Sequence, residues 1–328
     1  MGPNSNCYTI GVDLGGTNLR IAAVSPSGQI RDKISLDTDI SHGRERVVRE
    51  IAVAVNALKE RFKNRILLGI GVGLPGIIDM ATGTVRQAPN LPGFADFPFR
   101  HELEQRLESP VLLENDANAA ALGEKWLGTG REVSGLCILT LGTGIGGGLV
   151  LDGRVWHGRD GMGAEMGHTT VDPNGLLCGC GNLGCVEAYA SATAIVKLAR
   201  SAARAGRSAV LAEMAMVEGG LTAESVFEAA QSGDRAAMGI FEMAGRALGV
   251  AVANLINIFN LPLYVVGGGV ARGWEAFAPV MLREVEARSV VYRAAGARIE
   301  PSALQGDAGL FGAAYLPLQA QPAAMAQP

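Results

Sequence analysis

The sequence predicts an α/β protein of two domains, and three observations carry that expectation. The first is a repeat. Residues 10–20, Ile-Gly-Val-Asp-Leu-Gly-Gly-Thr-Asn-Leu-Arg, and residues 138–148, Ile-Leu-Thr-Leu-Gly-Thr-Gly-Ile-Gly-Gly-Gly, each take an apolar strand into a glycine turn and back into a second strand. The second is alternation: apolar strand-like runs are separated by stretches such as Val47, Ile51, Val55 and Leu58, whose spacing is helical. The third is size and composition. A chain of 328 residues, 48% hydrophobic but only 5% aromatic and with 45 glycines, suits two ordinary domains built from small residues. Glycine turns expose backbone N–H groups that can cradle phosphate oxygens. Two such turns suggest two lobes gripping one polyphosphate, as a nucleotide-dependent phosphotransferase would.

Taken in order, the elements begin with a β-hairpin over about 8–36 and a helix near 43–62. A buried strand, Leu67–Val72, then leads into the loop Gly73-Leu74-Pro75-Gly76. A helix from near Phe99 precedes the strand Val111–Leu113. The helix Ala117–Trp126 restarts the pattern, followed by a second hairpin at 135–156 and a loop-rich stretch, 157–186. Long helices run from about 191 and include the apolar Ala244–Phe259, which feeds the strand Leu263–Val266 and the turn Gly267-Gly268-Gly269. Leu318–Pro328 is rich in Ala, Gln and Pro, lacks apolar periodicity and reads as disordered. The repeat places the domain boundary near 115–120.

A net charge of −4 gives no electrostatic support for a nucleic-acid or anionic-membrane partner. No run of about 18 uncharged apolar residues is present, and the first ten residues lack a basic segment and an apolar core, so a cytoplasmic protein is expected. Of five cysteines, Cys178, Cys180 and Cys185 fall within eight residues. In that compartment clustered thiols hold a metal more often than they form disulfides.

Four motifs carry chemistry. Gly15, Gly16 and Thr17 either bind phosphates, with Asp13 near a Mg²⁺ ion, or form a tight hairpin that needs glycine at positive φ. Their counterpart, Gly142-Thr143-Gly144, favours the phosphate reading, and neither turn matches the Gly-x4-Gly-Lys-Ser/Thr loop. Glu114-Asn115-Asp116-Ala117-Asn118 lies where a strand meets a helix: Asp116 could cap that helix, or accept a proton from a sugar hydroxyl attacking a γ-phosphate. His168, Cys178, Cys180 and Cys185 supply one imidazole and three thiolates, a full tetrahedral shell for a structural Zn²⁺. Glu165 and Glu187 flank that segment. Cys7, Cys137, Trp126, Trp156 and Trp274 read as packing residues, and His42, His101 and His157 as surface loop residues.

Together these residues resemble the ROK family of bacterial sugar kinases and repressors, over nearly the whole chain. Asp13–Thr17, Leu74-Pro75-Gly76, Pro89-Asn90, Glu114–Asn118, Gly142–Gly148, Gly163–His168, Cys178–Glu187 and Gly267–Gly269 carry the resemblance. It implies an actin-like, ribonuclease-H-like ATPase fold of two α/β domains around a cleft. The smaller domain would be 1–116, completed by a C-terminal helix at about 305–320; the larger, 117–304, would hold the zinc loop 168–185 and a dimerisation surface. By the same resemblance, Asp116 is the catalytic base. Gly76, Asn90, Asn115, Glu165, His168 and Glu187 bind the sugar, and His168 is shared with the zinc. Gly15, Gly16, Thr17, Thr143 and Gly144 hold the phosphates of Mg²⁺-ATP, with Gly268 and Gly269 near the adenosine. The cysteine segment is similar to that of bacterial glucokinases, which implies glucose phosphorylated at its 6-hydroxyl by a homodimer or tetramer. The alternatives within the family are an N-acetylmannosamine, N-acetylglucosamine or other hexose kinase and, more distantly, a sugar-responsive regulator without catalysis. The regulator is disfavoured, because repressors place a DNA-binding segment ahead of the first phosphate turn and Asp13 stands close to the start.

Overall fold

The computed structural model describes residues 6–38, 42–88 and 91–320. The chain opens with β1 (Cys7–Leu14), β2 (Asn18–Val24) and β3 (Ile30–Asp37), then α1 (Arg44–Arg61), β4 (Ile66–Leu74), the small hairpin β5 (Ile77–Asp79) and β6 (Thr84–Gln87), α2 (Phe99–Leu107) and β7 (Val111–Asn115). The expected opening hairpin is therefore a three-stranded meander. The turn Pro26-Ser27-Gly28, with Gly28 at φ 87°, reverses the chain a second time. These strands form one sheet in the order β3-β2-β1-β4-β7, antiparallel among the first three and parallel from β1 to β7.

Alternation along β1 sends Tyr8, Ile10, Val12 and Leu14 into a core shared with Val47, Ile51, Val55 and Leu58 of α1. On the opposite face β4, and β1 at Gly11, present glycines, while Ala22 and Val24 of β2 add a small apolar patch. A Cβ on Gly71 of β4 would run into the carbonyl oxygen of Ala313, and one on Gly11 of β1 would sit 2.5 Å from that of Leu310. Gly69, Gly71 and Gly73 recur at strand period along β4, so a helix can rest directly on its backbone. That helix is the last one in the chain, described below. Both faces of this sheet are therefore covered by helices.

The chain continues through α3 (Asp116–Trp126), β8 (Leu136–Leu141), β9 (Ile145–Leu151), β10 (Arg154–Val155), α4 (Glu187–Ala190), α5 (Ala192–Arg204), α6 (Ala209–Met216), α7 (Ala223–Gln231) and α8 (Arg235–Phe259). It ends with β11 (Leu263–Gly267), α9 (Trp274–Arg288), α10 (Val290–Ala295), β12 (Arg298–Pro301) and α11 (Ala308–Ala320). The second sheet runs β10-β9-β8-β11-β12, the same order by position as the first. The parallel registers pair Tyr264 with Cys137 and Leu263 with Arg298. The motif repeat is thus a repeat of sheet topology.

By length and composition α8 could span a bilayer, but Ala244, Leu248, Val252 and Ile256 are buried. Gly245 and Gly249 lie against the backbone of α9, where a Cβ would come within 2.5 Å of Phe277's carbonyl oxygen and 2.7 Å of Met281's. This is the packing of a core helix. It ends at Asn260, whose φ of 48° is a left-handed conformation that asparagine tolerates.

Two compact units emerge: Met1–Ser134 with Gly148–Ala164 and Asp307–Pro328, and Gly135–Gly147 with Glu165–Gly306. The sequence reading divides the chain at 116/117, whereas here α3 belongs with the first sheet. Its Gly123 lies against Ala308's carbonyl oxygen, and α11's Gly312 against that of Ala119, so the two helices pack backbone to backbone. Helix α11 also takes in residues 318–320 of the segment expected to be disordered, with Pro317 buried against Gly69; residues 321–328 lie outside the described residues.

Candidate active site

Three parallel strands of the first unit, β1, β4 and β7, end side by side, and their registers pair Asp13 with Gly73 and Gly73 with Glu114. The carboxyl ends of such strands are where ligands collect in open α/β sheets. Asn115 closes β7 with φ −64° and ψ 145°, and its Oδ1 accepts from the backbone N–H groups of Ala117 at 2.9 Å and Asn118 at 3.2 Å. Asn115, not Asp116, is therefore the N-cap of α3. Its Nδ2 donates to the carbonyl of Gly76 at 3.2 Å, tying together two of the residues expected to bind sugar. Gly76 has φ 106°, and a side chain there would run into Gln87's carbonyl oxygen, which is why the loop after β4 carries glycine. Asp116 stands in the first helical position with Oδ1 accepting from Ala117 N–H at 2.8 Å. Asn90 lies outside the described residues.

Glu114 is only 2% exposed, yet it is a carboxylate. Oε1 accepts from Asn115 N–H at 2.9 Å and from Asn118 Nδ2 at 3.0 Å, while Oε2 accepts from His157 Nε2 at 2.8 Å. The hydrogen bond to Glu114 raises the His157 pKa, against the opposing effect of burial. His157 was expected to be a surface loop residue. Nothing local in Trp156-His157-Gly158 signals otherwise, because its partner is distant in sequence.

Asp13 lies at the end of β1, with Arg20 of β2 3.3 Å away. Burial, together with the negative charge of Asp116, pushes its pKa up to about 6; Arg20 opposes this and Asp307 adds to it. A buried carboxylate among like charges favours a nearby cation, and a carboxylate oxygen is the kind of ligand magnesium takes. In the adjoining turn Gly15 N–H donates to Asn18 O at 2.8 Å, and Thr38 is bonded to both ends, N–H to Thr17 O and Oγ1 to Gly15 O. Gly15 and Gly16 are not among the glycines at positive φ. Positive φ therefore does not explain these glycines, and Gly16 and Thr17 are exposed residues.

In the second unit the turn Gly142-Thr143-Gly144 stands at the end of β8, and Gly267-Gly268-Gly269 ends the neighbouring parallel strand. Gly142 and Gly144 likewise have ordinary φ. A Cβ on Gly142 would meet nothing closer than 3.9 Å, and one on Gly144 would come 2.5 Å from Glu187 Oε2. Glu187 opens α4, and its Oε2 accepts from Ile145 N–H at 2.8 Å. Ala192 N–H and Thr193 Oγ1 hold the carbonyls of Gly142 and Thr143 at 2.8 and 2.7 Å. Gly268, at φ 86°, lies against the backbone of Leu141, which brings the two strand ends together.

The metal ligands gather as the spacing implied. The donor atoms of His168, Cys178, Cys180 and Cys185 lie within 4.8 Å of one another. His168 Nδ1 is 3.7 Å from Cys178 Sγ, and Cys180 Sγ is 3.7 Å from Cys185 Sγ. A tetrahedron with bonds of about 2.3 Å has edges of about 3.8 Å, so the site fits zinc. Burial pushes the Cys178 thiol up to about 12, so a cation is needed to stabilise it as a thiolate. Nδ1 faces the cluster, which leaves Nε2 on the far edge of the ring. Glu165 stands exposed ahead of the short helix Met166–His168, and its carbonyl accepts from His168 N–H at 3.2 Å. Glu187 joins the two halves of this unit's site, since Cys178 Sγ lies 3.8 Å from its Oε1. Cys137 is buried core beside Met166.

The repeated sheet order, with glycine turns and carboxylates at the carboxyl ends of its parallel strands, defines the actin-like ATPase fold class. A model of the ROK family matches residues 9–320. The chain is 43% identical to the glucokinase of Thermotoga maritima over 309 residues, 94% of this chain and 96% of that protein. It is 38% identical to the glucokinase of Halalkalibacterium halodurans over 315 residues, 95% of each. A solved ROK family glucokinase from Streptomyces griseus, in complex with glucose and AMPPNP, aligns with a TM-score of 0.81 at 35% identity, covering 95% of this chain and 99% of that one. The chain belongs to the ROK family.

Proposed function

We propose that this protein is a glucokinase that transfers the γ-phosphoryl group of ATP to the 6-hydroxyl of glucose, giving glucose 6-phosphate and ADP. The observation that carries this reading is the β7–α3 junction. There Asn115 takes over the helix cap, so Asp116 is not needed for capping and can serve as base. Likeness to two glucokinases over nearly the full length supports the substrate. Asp116 takes the hydroxyl proton as the oxygen attacks phosphorus. Asn90, Asn115, Glu165, His168, Glu187 and the backbone of Gly76 hold the sugar hydroxyls. Gly15, Gly16, Thr17, Thr143 and Gly144 hold the phosphates, and Gly268 and Gly269 lie near the adenosine. Magnesium, held near Asp13, supplies neutralising charge to the phosphate oxygens. His168, Cys178, Cys180 and Cys185 would hold zinc, which would fix the imidazole ring and leave His168 Nε2 to serve the sugar. A homodimer belongs to the same proposal on family resemblance alone.

The test is ADP release measured across glucose, mannose, fructose, N-acetylmannosamine and N-acetylglucosamine, with wild type and Asp116→Asn. Glucose should give the highest kcat/KM, and Asp116→Asn should lower kcat by about 10²–10⁴-fold while glucose still binds. Preference for an N-acetylhexosamine moves the assignment to that kinase. An Asp116→Asn variant with near-normal kcat removes Asp116 as base.

A further inference from the structure

The mechanism above leaves one buried network without a role. Glu114, next to the catalytic turn, keeps a charge out of water, which is costly unless every oxygen is met by a donor. Two of its three donors, Asn115 N–H and Asn118 Nδ2, come from the same strand–helix turn. Asn118 turns its amide nitrogen toward Glu114 even though its own Oδ1 is then left buried without a partner. Flipping the amide would set two oxygens against each other, so Glu114's need for donors dictates the geometry. The third donor, His157, comes from 43 residues away and meets Oε2 at the shortest distance of the three.

His157 is itself held in place. Its carbonyl accepts from Gly161 N–H at 3.2 Å and Gly163 N–H at 3.0 Å, closing the loop after β10 on itself. Gly158 turns the chain at φ 71°, and Gly163 lies against Trp156 and the backbone of His157 with no room for a side chain. The imidazole is therefore presented by a tight loop. It reaches a carboxylate whose other oxygen holds the backbone N–H of Asn115.

We propose that His157 is a positioning residue for phosphoryl transfer, acting through Glu114 to set the Asn115-Asp116 turn. The proposal rests on the kinase reading given above. In this proposal His157 acts through Glu114 and not on substrate or reacting atoms. It donates one hydrogen bond to Glu114 Oε2, and Glu114 Oε1 in turn restrains the peptide that aims the base. Displacement of a catalytic group by about 1 Å costs up to about 10²-fold in rate.

The test compares His157→Ala with His157→Gln, whose side-chain amide can donate to the same oxygen. The expected result is a kcat lowered roughly 10- to 100-fold in His157→Ala. KM for ATP should stay unchanged, and His157→Gln should recover most of the loss. Unchanged kcat in folded His157→Ala, or equal losses in both variants, overturns the proposal. Should His157→Ala fail to fold, His157→Gln against His157→Met, similar in length but differing in the donor, makes the same comparison. A wild type without hexose-dependent ADP release sinks the kinase reading alone. In that case the amide ¹⁵N shifts of Asn115 and Asp116 still decide this one: they move in His157→Ala if the turn is held as described, and stay fixed if it is not.

Discussion

At the residue scale, Asp13 shows how a site trades stability for function. Its folded-state pKa of about 6 stands above the usual 3.8, first because it is buried and then because Asp116 is near. The folded protein therefore binds this proton more tightly than the unfolded chain does. Between about pH 4 and 6 stability falls as pH rises, and above about 6 the full penalty is present. Asp13→Asn should accordingly stabilise the ligand-free protein at pH 8, by an order of 2–3 kcal/mol, and hardly at all at about pH 3, below both pKa values. Melting temperatures at the two pH values check this; an equal gain at both, or none at pH 8, removes the explanation. Asp13 is only 16% exposed in its side chain, so solvent screens this effect weakly. A cation at the site would offset the same penalty when nucleotide binds.

At the element scale, β4 is a strand whose one face is almost all glycine. Val72 and Leu74 fill the core on the other side, while Gly69, Gly71 and Gly73 let α11 and α3 approach the backbone. Filling that face should be costlier than an ordinary Gly→Ala change in a strand, which would normally help. At Gly71 the new methyl meets a peptide carbonyl, which cannot swing aside as a side chain could. Gly71→Ala is expected to lower stability by about 1–3 kcal/mol, read from urea unfolding. A neutral or stabilising result would mean that α11 shifts at no cost. Because α11 also brings Asp307 toward Asp13, the same substitution should weaken magnesium dependence as well as stability.

At the scale of the whole molecule, the first unit holds the sheet β3-β2-β1-β4-β7, and the second holds β8, β11 and β12 with helices α4 to α10. All four metal donors lie in the second unit. Structural zinc contributes directly to folding free energy. Purified protein should contain about one zinc per chain, and a chelator should lower the thermal transition of the second unit while leaving that of the first in place. Calorimetry before and after chelation, with tryptophan fluorescence to assign the transitions, makes the measurement: Trp126 and Trp156 report the first unit and Trp274 the second. Protein without zinc, or a chelator that leaves both transitions unmoved, contradicts the structural role of the cluster.

What the sequence by itself determined was local. The strands beside the glycine turns and the limits of α1 and α3 follow from alternation, from helical spacing and from where glycine and proline stand, because neighbouring residues settle their own backbone geometry. The metal ligands were legible for the same reason, since the three cysteines sit on one short glycine-rich loop with His168 just ahead. The family resemblance then carried the actin-like fold, and with it the proposal that Asp116 is the base. Tertiary structure decided what distant residues do to one another. It gave the cap of α3 to Asn115, whose extended backbone at the end of β7 aims Oδ1 at the open N–H groups. It turned His157 from a loop residue into the partner of Glu114, bound Glu187 to the N–H of Ile145, and raised the pKa of Asp13. It drew residues 318–320 into a helix seated on the glycines of β4. Apart from the Asn115 cap, which lies within one strand–helix turn, each of these depends on a contact between elements far apart in the chain. Local composition carries no record of such a contact, because the sheet order that creates it is fixed only when the whole core is buried at once.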